Sequence, residues 1–89
     1  MVHRPDWMVA PIDEDILLAV NSHGNLTPKA MDSEFLEFEA SWISQRCRVL
    51  VDKGFLRQLG RGLYGITDLG QAWIEREITL EDLEDRGLD

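Results

Sequence analysis

A single cysteine, Cys47, excludes an intramolecular disulfide, and with only His3 and His23 beside it there is no ligand set for a structural zinc. The longest uninterrupted apolar run, Ile16 to Val20, falls far short of the roughly 18 residues a membrane span needs, and the N-terminus lacks a signal-peptide apolar region. The expected location is therefore the cytoplasm. The sequence contains no phosphate loop, dinucleotide fingerprint, H-E-x-x-H pair, G-x-S-x-G elbow or internal repeat, so neither an enzymatic reaction nor a cofactor is expected. Lysine is scarce too. Two lysines and seven arginines face seventeen acids, a net charge of -8, which argues against loose binding to nucleic acid or anionic membrane through bulk charge.

What remains is an ordinary globular composition, 44% hydrophobic and 29% charged, in 89 residues. That is enough for one domain with one modest core. Asp13 reads as the N-cap of a first helix running to about Ser22, with Ile16, Leu17 and Val20 as its apolar stripe and Gly24 as its stop. Thr27 followed by Pro28 starts a second, short helix to about Phe35. After a turn at Leu36 to Glu39, a third helix runs from about Ala40 to Lys53 and is stopped by Gly54. At 100° per residue, Ile43, Cys47 and Leu50 share its core face, which makes Cys47 a small core residue rather than a redox sensor. Ser41, Ser44, Gln45, Arg48 and Asp52 gather on the opposite face, and Trp42, Arg46, Val49 and Lys53 lie along one flank. Phe55 to Leu59 and Leu63 to Ile66 form a hairpin whose tip glycines leave Arg61 projecting. Thr67 and Asp68 cap a fourth helix to about Ile78. The chain thus divides into a leader (1–10), a domain (11–78) and an acidic tail or helix extension (79–89), in which Leu80, Leu83 and Leu88 are interspersed.

Charge is distributed unevenly along these elements. Residues 1–39 and 68–89 each carry eight acids and two bases, whereas residues 40–67 carry one acid and five bases: Arg46, Arg48, Lys53, Arg57 and Arg61. The only basic stretch of an acidic chain is thus the third helix plus the hairpin. Three helices followed by a two-stranded hairpin is the order of an α+β winged helix-turn-helix, whose third helix enters the DNA major groove while the hairpin, the wing, reaches the backbone or minor groove. Ser41 and Ser44 are small enough to permit close approach, Gln45 can address adenine, and Arg48 can address guanine. Arg46, Lys53, Arg57 and Arg61 suit phosphate contacts, although the flank position of Arg46 also allows it to pair with an acid of a neighbouring helix.

At this point the sequence resembles the haloarchaeal winged-helix regulators related to the phage phi-H repressor. The resemblance is carried by Trp7-Met8, Pro11 and Asp13-Glu14, by Gly24 to Pro28, by Ser44 to Arg48 with Leu50 to Asp52, and by Gly54 to Leu56. Arg61 to Tyr64 and Ile66 to Gly70 complete it. It implies transcriptional regulation by sequence-specific duplex binding, with Ser41, Ser44, Gln45, Arg48 and the wing residue Arg61 as contacts. It also implies a salt-adapted cytoplasm, in which base contacts and shape must carry affinity that phosphate attraction loses. Trp73, Ile78, Leu80 and Leu83 either pack back on the first helix or form a seam with a second copy; regulators of this architecture often dimerise through a terminal helix, so a homodimer is expected, and Trp42 either covers the core edge or meets the partner subunit. The alternative is a winged-helix protein-interaction module without DNA binding, in which the acidic surface meets the partner.

Overall fold

In the computed structural model, which describes residues 4–85, the order is α1 (Ile12–His23), α2 (Pro28–Glu34), α3 (Ala40–Asp52), β1 (Leu56–Gln58), β2 (Tyr64–Ile66), α4 (Asp68–Ile74) and α5 (Leu80–Asp85). His3 and Leu88 lie outside the described residues. The two strands pair antiparallel, with Leu56 opposite Ile66 and Gln58 opposite Tyr64. A third edge is added by Leu26, between α1 and α2, whose N–H and C=O both bond to the backbone of Tyr64. The hairpin is thereby joined to the helical part by backbone as well as by packing.

The apolar stripes expected from the sequence meet in one core. Ile12, Ile16, Leu17 and Val20 of α1, Met31 of α2, and Ile43, Cys47 and Leu50 of α3 are buried together with Phe55, Leu56 and Tyr64. Phe55 is held edge-on between two indoles, with ring centroids 5.4 Å from Trp7 and 6.1 Å from Trp73. The ten-residue leader therefore contributes to the core through Trp7 and the buried Met8. Burial pushes the Cys47 thiol up to about 12, with the charge of Asp13 adding to the effect, so the sulfur stays protonated as a core side chain does.

Helix termini follow local chemistry. The Thr27 hydroxyl oxygen accepts from the Ala30 N–H at 3.1 Å to cap α2, and that of Thr67 accepts from the Gly70 N–H at 3.0 Å to cap α4. The Thr67 hydroxyl in turn donates toward the Gly54 carbonyl (2.6 Å) and the Phe55 carbonyl (3.0 Å), which ties the start of α4 to the end of α3. This junction needs Gly70, because a Cβ there would collide with the Phe55 carbonyl oxygen.

Three expectations are corrected. Asp13 is not the N-cap of α1; the helix begins at Ile12 with Pro11 in the cap position, and Asp13 is turned inward. The fourth helix stops at Ile74 rather than Ile78. There the Arg76 N–H bonds to the Trp73 carbonyl and the Glu77 N–H to the Ala72 carbonyl, with Arg76 at φ 62°, the left-handed turn that usually takes glycine. The stretch from residue 79 then forms the separate helix α5, capped reciprocally: Asp82 accepts from the Thr79 N–H, and the Thr79 hydroxyl oxygen accepts from the Asp82 N–H. Leu83 of α5 is 0% exposed and belongs to the main core, while Trp73 and Ile78 pack against that core from its edge. Leu83 is consequently not free to form a seam with a second copy.

Two substitutions should move stability in opposite directions. Gly70→Ala is expected to cost about 1–3 kcal/mol through overpacking against backbone. Arg76→Gly should add about 0.5–1 kcal/mol by relieving the left-handed residue. Thermal unfolding checks both, since a domain of this size shifts by roughly 4–8 °C per kcal/mol.

Candidate nucleic-acid interface

The position of α3 is set from two sides. Its core face, Ile43, Cys47 and Leu50, is fully buried. Its flank is fixed by a charge pair that crosses to α1: Arg46 Nε donates to Asp13 Oδ1 at 2.8 Å and Arg46 Nη2 to Asp13 Oδ2 at 2.7 Å. Each group also reaches one backbone partner. Asp13 Oδ2 also accepts from the Val9 N–H at 2.9 Å, and Arg46 Nη2 also donates to the Trp7 carbonyl at 3.0 Å. The guanidinium lies 5.7 Å from the centre of the Trp42 ring. The Asp13 side chain is 0% exposed and that of Arg46 11%, so water screens the pair little. The hydrogen bonds that Arg46 donates to Asp13 raise its pKa, with burial working against them, and the guanidinium stays charged throughout the accessible pH range.

Arg46 is therefore corrected: its guanidinium is committed inside the protein and does not point outward toward a phosphate. Lys53 also lies to the side, half-buried at the C-cap of α3, with its ammonium 5.7 Å from the centre of the Trp7 ring. Ser41, Gln45, Arg48 and Asp52 are exposed on the face opposite the core, and Ser44 is half-buried at its edge. The N-terminus of this helix is held by α2, where Asp32 Oδ2 accepts from the Ala40 N–H at 3.1 Å.

The hairpin supplies the second part of the surface. It closes with the Leu59 N–H bonded to the Leu63 carbonyl at 2.8 Å, and positive φ at Gly60 and Gly62 brackets the exposed Arg61 at its tip. Arg57 is exposed on β1 opposite Gly65. Neither ion pair formed among the described residues, Arg46 with Asp13 or Arg4 with Glu14, uses Arg48, Arg57 or Arg61. These three arginines thus stand without an acidic partner among the described residues of a chain with net charge -8. No group of residues among those described could hold a metal ion, and no helix there is long and apolar enough to cross a membrane.

Sequence reasoning missed the inward role of Asp13, although the signal was present. Positions 13, 16, 17 and 20 repeat at helical spacing, so Asp13 falls on the same stripe as Ile16, Leu17 and Val20.

Comparison with known proteins agrees with this architecture. A family model described as the winged helix-turn-helix phage repressor matches residues 1–86. The repressor protein of Halobacterium phage phiH is 34% identical over 88 residues, covering 94% of this chain and 98% of the phage protein. The crystal structure of a PhiH1 repressor-like protein from Haloarcula marismortui superposes with a TM-score of 0.76 at 30% identity, over 84% of this chain and 85% of that one.

The two classes of arginine should separate in stability measurements. Arg46→Met strands the buried Asp13 carboxylate and is expected to cost about 3–5 kcal/mol in urea unfolding, much of it recovered when Asp13→Leu is added. Arg48→Ala removes an exposed side chain and should stay within about 0.5 kcal/mol of the natural protein.

Proposed function

The chain belongs to the winged helix-turn-helix phage repressor family, a family of repressors rather than enzymes, and from that premise we propose that it represses transcription by binding a specific duplex sequence and occluding a promoter. The observation that supports this most directly is that, of the four arginines without an ion-pair partner among the described residues, Arg48 lies on the exposed face of α3 and Arg57 and Arg61 on the hairpin, the fourth being Arg76 after α4. On this reading α3 lies in the major groove. Ser41 and Ser44 allow the approach, Gln45 addresses adenine through its amide, and Arg48 addresses guanine through its two parallel donors. Arg57 and Arg61 hold the hairpin to the backbone or minor groove. Arg46 acts at one remove, by fixing the angle at which α3 is presented.

Haloarchaeal relatives, few lysines and an acidic remainder fit a protein that works in concentrated salt. At about 1 M ionic strength the Debye length is near 3 Å, and phosphate attraction through counterion release is largely lost. Base-edge hydrogen bonds and shape then carry the affinity. Pairing of two copies through the half-buried Trp73, Ile78 and Leu80 fits a two-part operator; Leu83 takes no part, because it is inside the core.

Selection from a random duplex library in about 2 M KCl tests the reading. A motif should emerge; Arg48→Ala should relax it at one base pair, costing about 1–3 kcal/mol there, whereas Arg61→Ala should weaken all sequences alike. Two half-sites about one helical turn apart would identify a homodimer and a single half-site a monomer. Failure of a folded protein to enrich any motif would sink the DNA reading and favour a protein-interaction module.

A further inference from the structure

Outside the arginine-bearing face, exposed apolar side chains converge at one other place. Leu18 lies on the side of α1 turned away from the core and is 48% exposed; Phe35, at the end of α2, is 39% exposed. The Phe35 ring stacks on His23, with centroids 4.1 Å apart and an interplanar angle of 20°, which fixes it in an upright position. With Phe38 from the turn before α3, these residues line an open groove of about 560 Å³. Asp15 and Glu37 line the same groove; no lysine or arginine does. None of Ser41, Gln45, Arg48, Arg57 and Arg61 lines it either, so it is separate from the face assigned to DNA.

We propose that this groove docks a basic amphipathic helix of a partner protein, with apolar side chains seated on Leu18, Phe35 and Phe38 and lysines or arginines beside Asp15 and Glu37. Charge selects this occupant over the others. A second copy pairing isologously would set Asp15 and Glu37 against an identical acidic rim, within a segment that already carries eight acids and two bases. Duplex DNA, a polyanion, finds no lysine or arginine in this lining to meet its phosphates at contact distance. The groove is open and does not enclose a small molecule, whereas an amphipathic helix lays anchors at i, i+3 or i+4, and i+7 along just such a surface. The proposal does not depend on the DNA reading, and the repressor can occupy both faces at once.

The probe is a synthetic helix of about 18 residues with a leucine stripe flanked by lysines, compared with the same peptide carrying glutamate in place of each lysine. Fluorescence anisotropy is read at the lowest salt at which circular dichroism shows the protein folded. Four proteins are titrated: natural, Leu18→Ser with Phe35→Ser, Asp15→Lys with Glu37→Lys, and a control with Glu81→Lys and Glu84→Lys on α5. The lysine peptide should bind the natural and control proteins alike and lose about tenfold or more in affinity with each groove variant, while the glutamate peptide fails to bind. Because the apolar and charge variants alter different residues, misfolding of one leaves the other to decide. Equal binding to all four proteins reduces the effect to attraction by net charge and overturns the proposal, as does failure of the lysine peptide to bind the natural protein. Sedimentation as a dimer that Leu18→Ser abolishes would assign the groove to a second copy and overturn it as well. Binding to the selected DNA site, measured on the same variants, keeps this outcome distinct from that of the repressor reading.

Discussion

The contact on which the rest depends is the bidentate pair between Asp13 and Arg46. A charge removed from water is costly unless a partner and further hydrogen bonds offset the loss; here two bonds cross the pair, one comes from the Val9 N–H and one goes to the Trp7 carbonyl. These four bonds tie the leader, α1 and α3 together. Apolar packing of Ile43, Cys47 and Leu50 says that α3 must lie on the core, yet packing alone tolerates rotation and sliding. The ion pair fixes the helix about its own axis, and with it the direction in which Gln45 and Arg48 point.

The leader and α4 acquire meaning from the same constraint. Trp7 gives its carbonyl to Arg46, one face of its ring to Lys53 and a T-shaped contact to Phe55. Phe55 follows α3 directly and is covered on its other side by Trp73. One aromatic column thus links the leader, the end of α3 and α4, and Thr67 locks its upper end by donating to the carbonyls of Gly54 and Phe55. The hairpin begins at the next residue, Leu56, so its root lies directly beside these contacts.

Much of the fold was legible because its signals are local. Thr27-Pro28 and Thr67-Asp68 are chemical start marks, and the Ile43, Cys47 and Leu50 spacing identifies a helix face without reference to anything distant. The end of α4 was not legible, because an arginine occupies a left-handed position where the local rule asks for glycine, and tertiary packing of Trp73 and Ile78 overrides the preference. The Thr79 and Asp82 box was a local signal passed over in favour of a longer helix. At the interface, the outward placement of Ser41, Gln45, Arg48 and Arg61 followed from periodicity and turn chemistry. The fate of Arg46 required knowing which helix lies beside its flank, and that is long-range information, 33 residues away in sequence. The groove at Leu18 and Phe35 was invisible for the same reason, since its walls come from α1 and from the α2–α3 turn.

Salt gives the two kinds of arginine different physics. An exposed charge in molar salt interacts over only about 3 Å, so on the proposed reading Arg48, Arg57 and Arg61 act through hydrogen bonds made at contact distance, Arg48 with a base edge and Arg57 and Arg61 with the backbone or minor groove. The Asp13–Arg46 pair, largely buried, is screened much less by the same ions. An acidic protein that reads DNA in such a medium gains little from adding surface positive charge. It gains from a few cations whose direction is fixed, and on the proposed reading the direction of α3 is fixed by Arg46 paired with the buried Asp13.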